Sequence, residues 1–283
     1  MSRQLFLEAH ADTIMPGSPA LVGLPLDKTA TYRPGTGQAP AAIRAASDSI
    51  ESYSPLLDLD LLDHPFADIG DLDFSNDSVE NSLGRIEDQA KRIMSSGCPM
   101  LSMGGEHTIT LALVRAALET YPDLVLIHAD AHSDLRDRYE GSAINHATVM
   151  RRVVELVGRE RLIQLGIRAG TKEEFGWMRD RFTLLSWRPA AEQELLRRTE
   201  RRPVYLSLDL DVLDPACFPG TGNPEPGGWS YNDLERLLWA ATSMNLVAAD
   251  VVELSPRYDP SGVSAITAAR VVRELLLILG LTH

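Results

Sequence analysis

Six short apolar runs, nearly continuous rather than alternating, set the tightest limit on how this chain can fold. They are ALVGLPL (20–26), MLSMGG (100–105), LVLIHAD (124–130), LIQLGIR (162–168), PVYLSLDLD (203–211) and NLVAADVVEL (245–254). A strand with one wet face alternates apolar and polar residues, whereas a strand covered on both faces does not. Helical stretches lie between and after the runs, at residues 40–49, 79–95, 110–119, 147–157, 192–197, 231–240 and 265–276, with Gly280 expected beyond the end of the last. Pro40 suits a first helical turn. Buried strands alternating with helices predict an α/β fold, a single three-layer α/β/α domain with a mostly parallel sheet. No linker, low-complexity tract or internal repeat divides the sequence, so residues 1–283 read as one domain, long enough to fill a sizeable core.

In open parallel sheets, ligands gather beyond the carboxyl ends of the strands. The polar knots of this sequence fall there. His107 follows the second run, Asp130 and His132 the third, Asp209 and Asp211 the fifth, and Glu253 ends the sixth. Asp130 and His132 are two apart and can share a strand face, whereas Asp134 is expected to reach the same place from the turn beyond. Gly104 and Gly105 would let the chain turn sharply before His107, and Thr108 is placed to cap the following helix. Imidazoles and carboxylates without a thiolate favour a harder divalent cation over a zinc–cysteine centre. Crowded carboxylates repel and raise the pKa of some of their number, and two divalent cations would remove that strain. One DxHxD is equally a capped turn, and SLDLDVLDP a solvated strand end with an Asp214–Pro215 turn. Both together, with GGEH upstream, argue for a metal site.

Charge excludes other classes. With 27 Lys and Arg against 40 Asp and Glu, the formal net charge of −13 is wrong for a general nucleic-acid surface and mildly favours a cationic small molecule. The two cysteines, Cys98 and Cys217, form neither a disulfide framework nor a CxxC site, and a reducing compartment is the natural reading. MSRQLFLEAHAD makes a poor signal peptide, and LLLILG is too short to span a bilayer. A cytoplasmic protein with no membrane partner is expected.

GGEHT (104–108), DAHSD (130–134), SLDLDVLDP (207–215) and VVELSPRYD (251–259), in this order and over nearly the whole chain, resemble the ureohydrolase family of arginases, agmatinases and related manganese amidinohydrolases. RPGTGQAPAAIR (33–44) is similar to the family's N-terminal region, where turns approach the site. The resemblance implies an arginase-like fold and two Mn2+ per subunit, with Co, Ni or Fe as possible substitutes. One ion would be held by His107, Asp130, Asp134 and Asp209, and the other by Asp130, His132, Asp209 and Asp211. It implies attack by a metal-bridging hydroxide, Glu253 pairing with the guanidinium, Asp134 passing a proton to the leaving amine, and His146 as proton shuttle or substrate contact. It also implies a homo-oligomer, trimer or hexamer.

DRYEGSAINHATVMRR (137–152) and ELSPRYDPSG (253–262) look like the agmatinase version, without the longer polar loop that grips the amino-acid head of arginine. The expected reaction is hydrolysis of agmatine to putrescine and urea, a step of polyamine biosynthesis. Ala147 stands where the family more often has Gly after the histidine, which leaves substrate length open. Guanidinobutyrase, guanidinopropionase, arginase and formiminoglutamase share the metal core, and a non-catalytic metal-binding protein on this fold is the alternative of another class. A deacetylase on a similar α/β architecture lacks this pair of motifs. Glu106 reads as a supporting charge rather than a ligand. His10, His64 and His283 fall outside the motifs, and His128 is expected to face away from the cluster in a structural role. Trp229 reads as a loop anchor, and the turn-rich loop 221–228 is expected over the rim.

Overall fold

A computed structural model of the protein describes residues 4–7, 9, 13–181, 183–188 and 191–281. His10 and His283 lie outside the described residues, as do several of the first twelve. The strands are β1 (Ala20–Leu24), β2 (Tyr53–Ser54), β3 (Leu59–Asp60), β4 (Ala67–Asp71), β5 (Met100–Gly104), β6 (Val125–Ala129), β7 (Leu162–Leu165), β8 (Leu184–Leu185), β9 (Pro203–Asp209) and β10 (Asn245–Val252). The helices are α1 (Ala39–Ser47), α2 (Val79–Ser95), α3 (Ile109–Thr120), α4 (Val149–Val157), α5 (Lys172–Arg181), α6 (Ala191–Thr199), α7 (Tyr231–Ala241) and α8 (Val263–Leu281).

Eight strands form one sheet in the order β4-β1-β5-β10-β9-β6-β7-β8, every pairing parallel; β2 and β3 make a separate antiparallel pair. Alternate strand residues feed two cores. Leu101, Ile127, Leu206 and Val251 pack with Ile43 of α1, Leu195 of α6, Leu237 of α7 and Val272 of α8. Met100, Leu126, Tyr205 and Ala248 pack with Ile86 of α2, Leu113 of α3, Val153 of α4 and Met178 of α5. This is the three-layer α/β/α arrangement, and it explains the unbroken apolar runs, since both sheet faces are dry. Among the described residues, no helix is long and apolar enough to cross a membrane.

Five elements escape the periodicity, two of them the two-residue strands β2 and β3. Strand β4 reads ADIGD, with two acids and a glycine, yet its Asp68 is buried and paired with Arg44 of α1 at 2.7 Å. Helix α5, KEEFGWMRDR, buries only Glu174 and Met178, too few to print an apolar stripe, and β8 has two residues. Helix α8 corrects the expected stop, because it runs through Gly280 to Leu281. Its residues from Val271 to Leu279 are all buried, and that burial outweighs the ~1 kcal/mol a glycine costs a helix.

Candidate active site

The four strands that carry the polar knots are consecutive in the sheet, β5-β10-β9-β6, so their carboxyl ends meet at its centre. His107 stands in the β5–α3 connection, Glu253 just past β10, Asp209 and Asp211 at the end of β9, and Asp130, His132 and Asp134 past β6. All but His132 are buried; the His132 side chain is 29% exposed.

Local backbone geometry explains how each side chain is aimed. Gly105 does not take a left-handed conformation; it is needed because the backbone passes so close to β1 that a Cβ there would lie 2.0 Å from the Leu26 carbonyl oxygen. Thr108 takes the N-cap position just before α3, as expected, but its side chain makes no capping bond; its hydroxyl meets that of Thr29 at 3.0 Å. Asp134 and Glu253 have φ of 52° and 64°, which non-glycine residues rarely adopt. The left-handed kink turns Asp134 back toward β5 from beyond the strand, as its spacing predicted. Strain held at such positions is characteristic of functional sites.

Three of the aspartates spend one oxygen on a backbone N–H and present the other. Asp209 Oδ1 accepts from Asp211 N (2.8 Å), leaving Oδ2 3.3 Å from His107 Nδ1. Asp211 Oδ1 accepts from Ala131 N (3.0 Å), leaving Oδ2 2.9 Å from His132 Nδ1. Asp130 Oδ1 accepts from His132 N (2.6 Å), and its Oδ2 lies 3.2 Å from His107 Nδ1. Asp134 Oδ2 lies 3.3 Å from that same nitrogen.

His128 corrects the sequence reading. It points into the cluster, with Nε2 2.7 Å from Asp130 Oδ2. The side-chain nitrogen of Gln164 meets His128 Nδ1 at 3.2 Å, while its oxygen accepts from Thr183. An amide nitrogen can only donate, so His128 Nδ1 accepts and Nε2 carries the hydrogen. His128 therefore orients Asp130 by donating to it. The signal was its spacing, two residues from Asp130 on the same strand face.

The donor set fits divalent cations. His107 Nδ1 is buried and makes no directed hydrogen bond, yet three carboxylate oxygens surround it. A single proton there can point at one of them, whereas an ion among them would serve all. Two groups of ligand atoms lie within 4.8 Å of one another, His107 with His128, Asp130 and Asp134, and Asp130 with His132 and Asp211. Asp209 joins the first by its distance to His107. Burial and repulsion from Asp211 and Asp130 push the Asp209 carboxyl well above the usual range. Burial works the same way on Asp130, but His128, His107 and His132 hold it well below. Burial alone would lower His107, yet its three carboxylate neighbours raise it well above an ordinary histidine.

A cavity of about 270 Å3 opens over this cluster. Glu253 lines it; its Oε1 accepts from His107 N at 2.8 Å, and burial pushes its carboxyl up to about 8 against that hydrogen bond. His146 lines it too, held through Nε2 by the Thr31 hydroxyl at 3.0 Å. Glu106 is buried and touches no ligand atom; it accepts from Lys28 N, Thr29 N and the Thr29 hydroxyl, and Thr29 in turn accepts from His146 N. Its supporting role was legible, its partners were not. Asn223 and Glu225 bring the 221–228 loop to the cavity wall, fastened by Arg168, which donates to the carbonyls of Asp211, Val212 and Glu225. Trp229 is the anchor expected, 8% exposed and stacked near Trp187. Arg136, Tyr139 and Glu174 also line the cavity; no motif had pointed to them.

The family model for arginases matches residues 18–278. The chain belongs to the arginase family. An agmatinase of Bacillus anthracis is 39% identical over 98% of this chain and 96% of its own length. A guanidinobutyrase of Pseudomonas aeruginosa is 36% identical, over 92% and 86%. The solved agmatine ureohydrolase of Thermoplasma volcanium superposes with a TM-score of 0.84 at 32% identity, covering 99% of this chain and 95% of that one. Membership in the arginase family, with this two-metal cluster of His and Asp, makes the chain an enzyme of the amidinohydrolase type.

Proposed function

We propose that the protein hydrolyses the guanidinium group of agmatine to putrescine and urea. The observation that carries this reading is Glu253, a buried carboxylate that lines the cavity beside the metal cluster, with one oxygen tied to His107 N and the other near Gly222. A carboxylate fork is what a planar guanidinium pairs with. Seated there, the cation would restore the charge that burial disfavours on Glu253, and the guanidinium carbon would be fixed over the cluster.

His107, Asp130, Asp134 and Asp209 would hold one divalent cation, and Asp130, His132, Asp209 and Asp211 the other. Mn2+ is the expected ion, and Co2+, Ni2+ or Fe2+ suit the same donors. When bound, the pair supplies a nucleophile at neutral pH and positive charge against the developing anion. Asp134 Oδ2 faces the cluster and would take the proton of the attacking group and pass it to the leaving amine. His146, fixed by Thr31, would relay a proton at the cavity wall or steady the substrate chain.

The tail preference rests on charge. Beyond the cluster, the wall carries Glu174 and Glu225 against Arg136, which stacks on Tyr139 at 4.4 Å and lies 4.0 Å from Glu174. A distal ammonium meets the negative charge of Glu225 and of Glu174, whose oxygens are held by Leu135 N and Thr171 N, whereas a distal carboxylate has to draw Arg136 away from Glu174. Arg136 is also the one feature that favours the second reading, a guanidino-acid hydrolase. A urea-release panel with Mn2+ tests both, using agmatine, L-arginine, 4-guanidinobutyrate and 3-guanidinopropionate. Agmatine is expected to dominate. Dominant turnover of arginine or of a guanidino acid refutes the assignment, and formamide or ammonia from formiminoglutamate alone moves it to that branch.

A further inference from the structure

Two residues before the strand-end carboxylates Asp130 and Asp209, five neighbouring strands each place a polar side chain at the same level. Gln164 of β7 is in register with His128 of β6, His128 with Ser207 of β9, Ser207 with Asp250 of β10, and Asp250 with Ser102 of β5. All five are buried in the middle of an apolar sheet, the most exposed at 1%. Burying such groups is costly unless they are bonded, and four of them are, the Ser102 hydroxyl at the end of the row being the exception.

Beside the centre of the row, Asp250 accepts three hydroxyls. Ser207 donates to Oδ1 at 2.8 Å, and Tyr205 and Thr110 donate to Oδ2 at 2.6 and 2.9 Å. The Ser207 oxygen in turn lies 2.8 Å from His107 Nε2. A hydroxyl has one hydrogen, and Ser207 spends it on the carboxylate. Its oxygen can then only accept from His107, so Nε2 must carry a hydrogen. That leaves Nδ1, the nitrogen facing Asp130, Asp134 and Asp209, as the one free to give a lone pair to a cation. The relay fixes both the ring's attitude and which nitrogen can ligate.

We propose that Asp250 is a positioning residue that, through the Ser207 hydroxyl, holds His107 as an Nδ1 ligand for a divalent cation. This rests on reading the His107 cluster as a cation site. It assigns a task to a buried carboxylate that gathers three hydroxyls, one of which backs the His107 ring. Asparagine at 250 keeps the shape but brings an NH2 that can donate to Ser207. The serine hydrogen is then free to turn toward His107 Nε2, and the hydrogen on the ring moves to Nδ1, where it blocks ligation.

The test measures Mn2+ stoichiometry and affinity by chelator competition on the full-length protein, for wild type, Asp250→Asn, Ser207→Ala and the double variant, with thermal unfolding of each metal-free form. Each single variant is expected to weaken one of the two Mn2+ equivalents about 10–100-fold, the scale of partners behind a metal ligand, and to leave the other within a few-fold. The double variant should be little worse than either single one, because both act along one path. Should Asp250→Asn fail to fold, Ser207→Ala, a smaller change, carries the same expectation alone. Unchanged affinity with only a lowered melting temperature overturns the relay and leaves Asp250 a packing group, as do strictly additive effects on affinity. A wild-type chain that takes up no Mn2+ overturns the cation site itself, and the relay with it.

Discussion

The two ends of the metal cluster are built differently. The His107 end is the more buried, although His107, Asp134 and Asp209 also reach the cavity: the imidazole is 1% exposed, three carboxylates surround its Nδ1, and the buried Ser207–Asp250 pair backs its other nitrogen. At the other end, His132 is 29% exposed and lines the cavity, with Asp211 as its near partner. The same residue types thus sit in a more buried seat on one side and a more exposed one on the other. A buried seat is pre-organised and slow to exchange, while an exposed one can meet solvent and substrate.

Asp209→Asn should break both ends at once. Its Oδ2 faces His107 and its Oδ1 fixes Asp211, so turnover should be lost and both Mn2+ equivalents weakened. Wild-type urea release by this variant would undo its shared role. The comparison itself is sharpened by His107→Ala against His132→Ala. Loss of the buried ligand should cost more than about 100-fold in affinity for one equivalent, beyond what an outer partner is worth, and His132→Ala distinctly less. Equal losses by isothermal titration would erase the distinction between the ends.

Cation removal comes next in size. Dialysis against a chelator should release the ion at the His132 end first, giving a one-ion form detectable by metal analysis. Restoring Mn2+ to about 1,000 times its Kd should stabilise the fold by ~4 kcal/mol. Simultaneous loss of both ions contradicts the picture. Proton linkage gives the accompanying pH dependence. For His132, burial would lower the imidazole pKa, but Asp211 and Asp130 raise it far above the ordinary value. In the metal-free protein its stabilisation is therefore complete below the unfolded value of about 6.5 and lost only as pH rises through the raised folded value. A cation must displace that proton, so Mn2+ affinity should rise between about pH 6 and pH 8, with protons released. A flat profile would show that no imidazole proton is exchanged. The smallest effect is expected at the cavity wall. Thr31→Val removes one hydrogen bond to His146 and should lower kcat about 3–10-fold, as ~1 kcal/mol implies, without changing Mn2+ stoichiometry. A change in metal content would show that Thr31 acts on the cluster instead.

The clustered imidazoles and carboxylates were legible because metal chemistry restricts residue type and spacing so strongly. DAHSD and SLDLD announce carboxylates at two strand ends, and Asp134 was read as arriving from a turn, which its φ of 52° bears out. What supports them was not legible. Ser207 and Asp250 look like ordinary members of buried strands, 43 residues apart, until register sets them side by side. His128 read as turned away, although its spacing from Asp130 was the available signal. Thr29, Thr31, Arg136 and Glu174 lie in loops or on a helix without an apolar stripe, so no periodicity marks them.

The sequence by itself determined the covered parallel sheet, because continuous apolar runs are stable only when both faces are dry. It also determined the kind of site, because imidazoles and carboxylates massed at strand ends need cations. Only the tertiary structure decided that β5, β10, β9 and β6 are neighbours, and hence which imidazoles and carboxylates stand together and that His128 backs Asp130. Strand order and register are settled by packing over the whole domain, and hydrogen-bond polarity by partners far apart in the chain. Neither is written in any local stretch of residues.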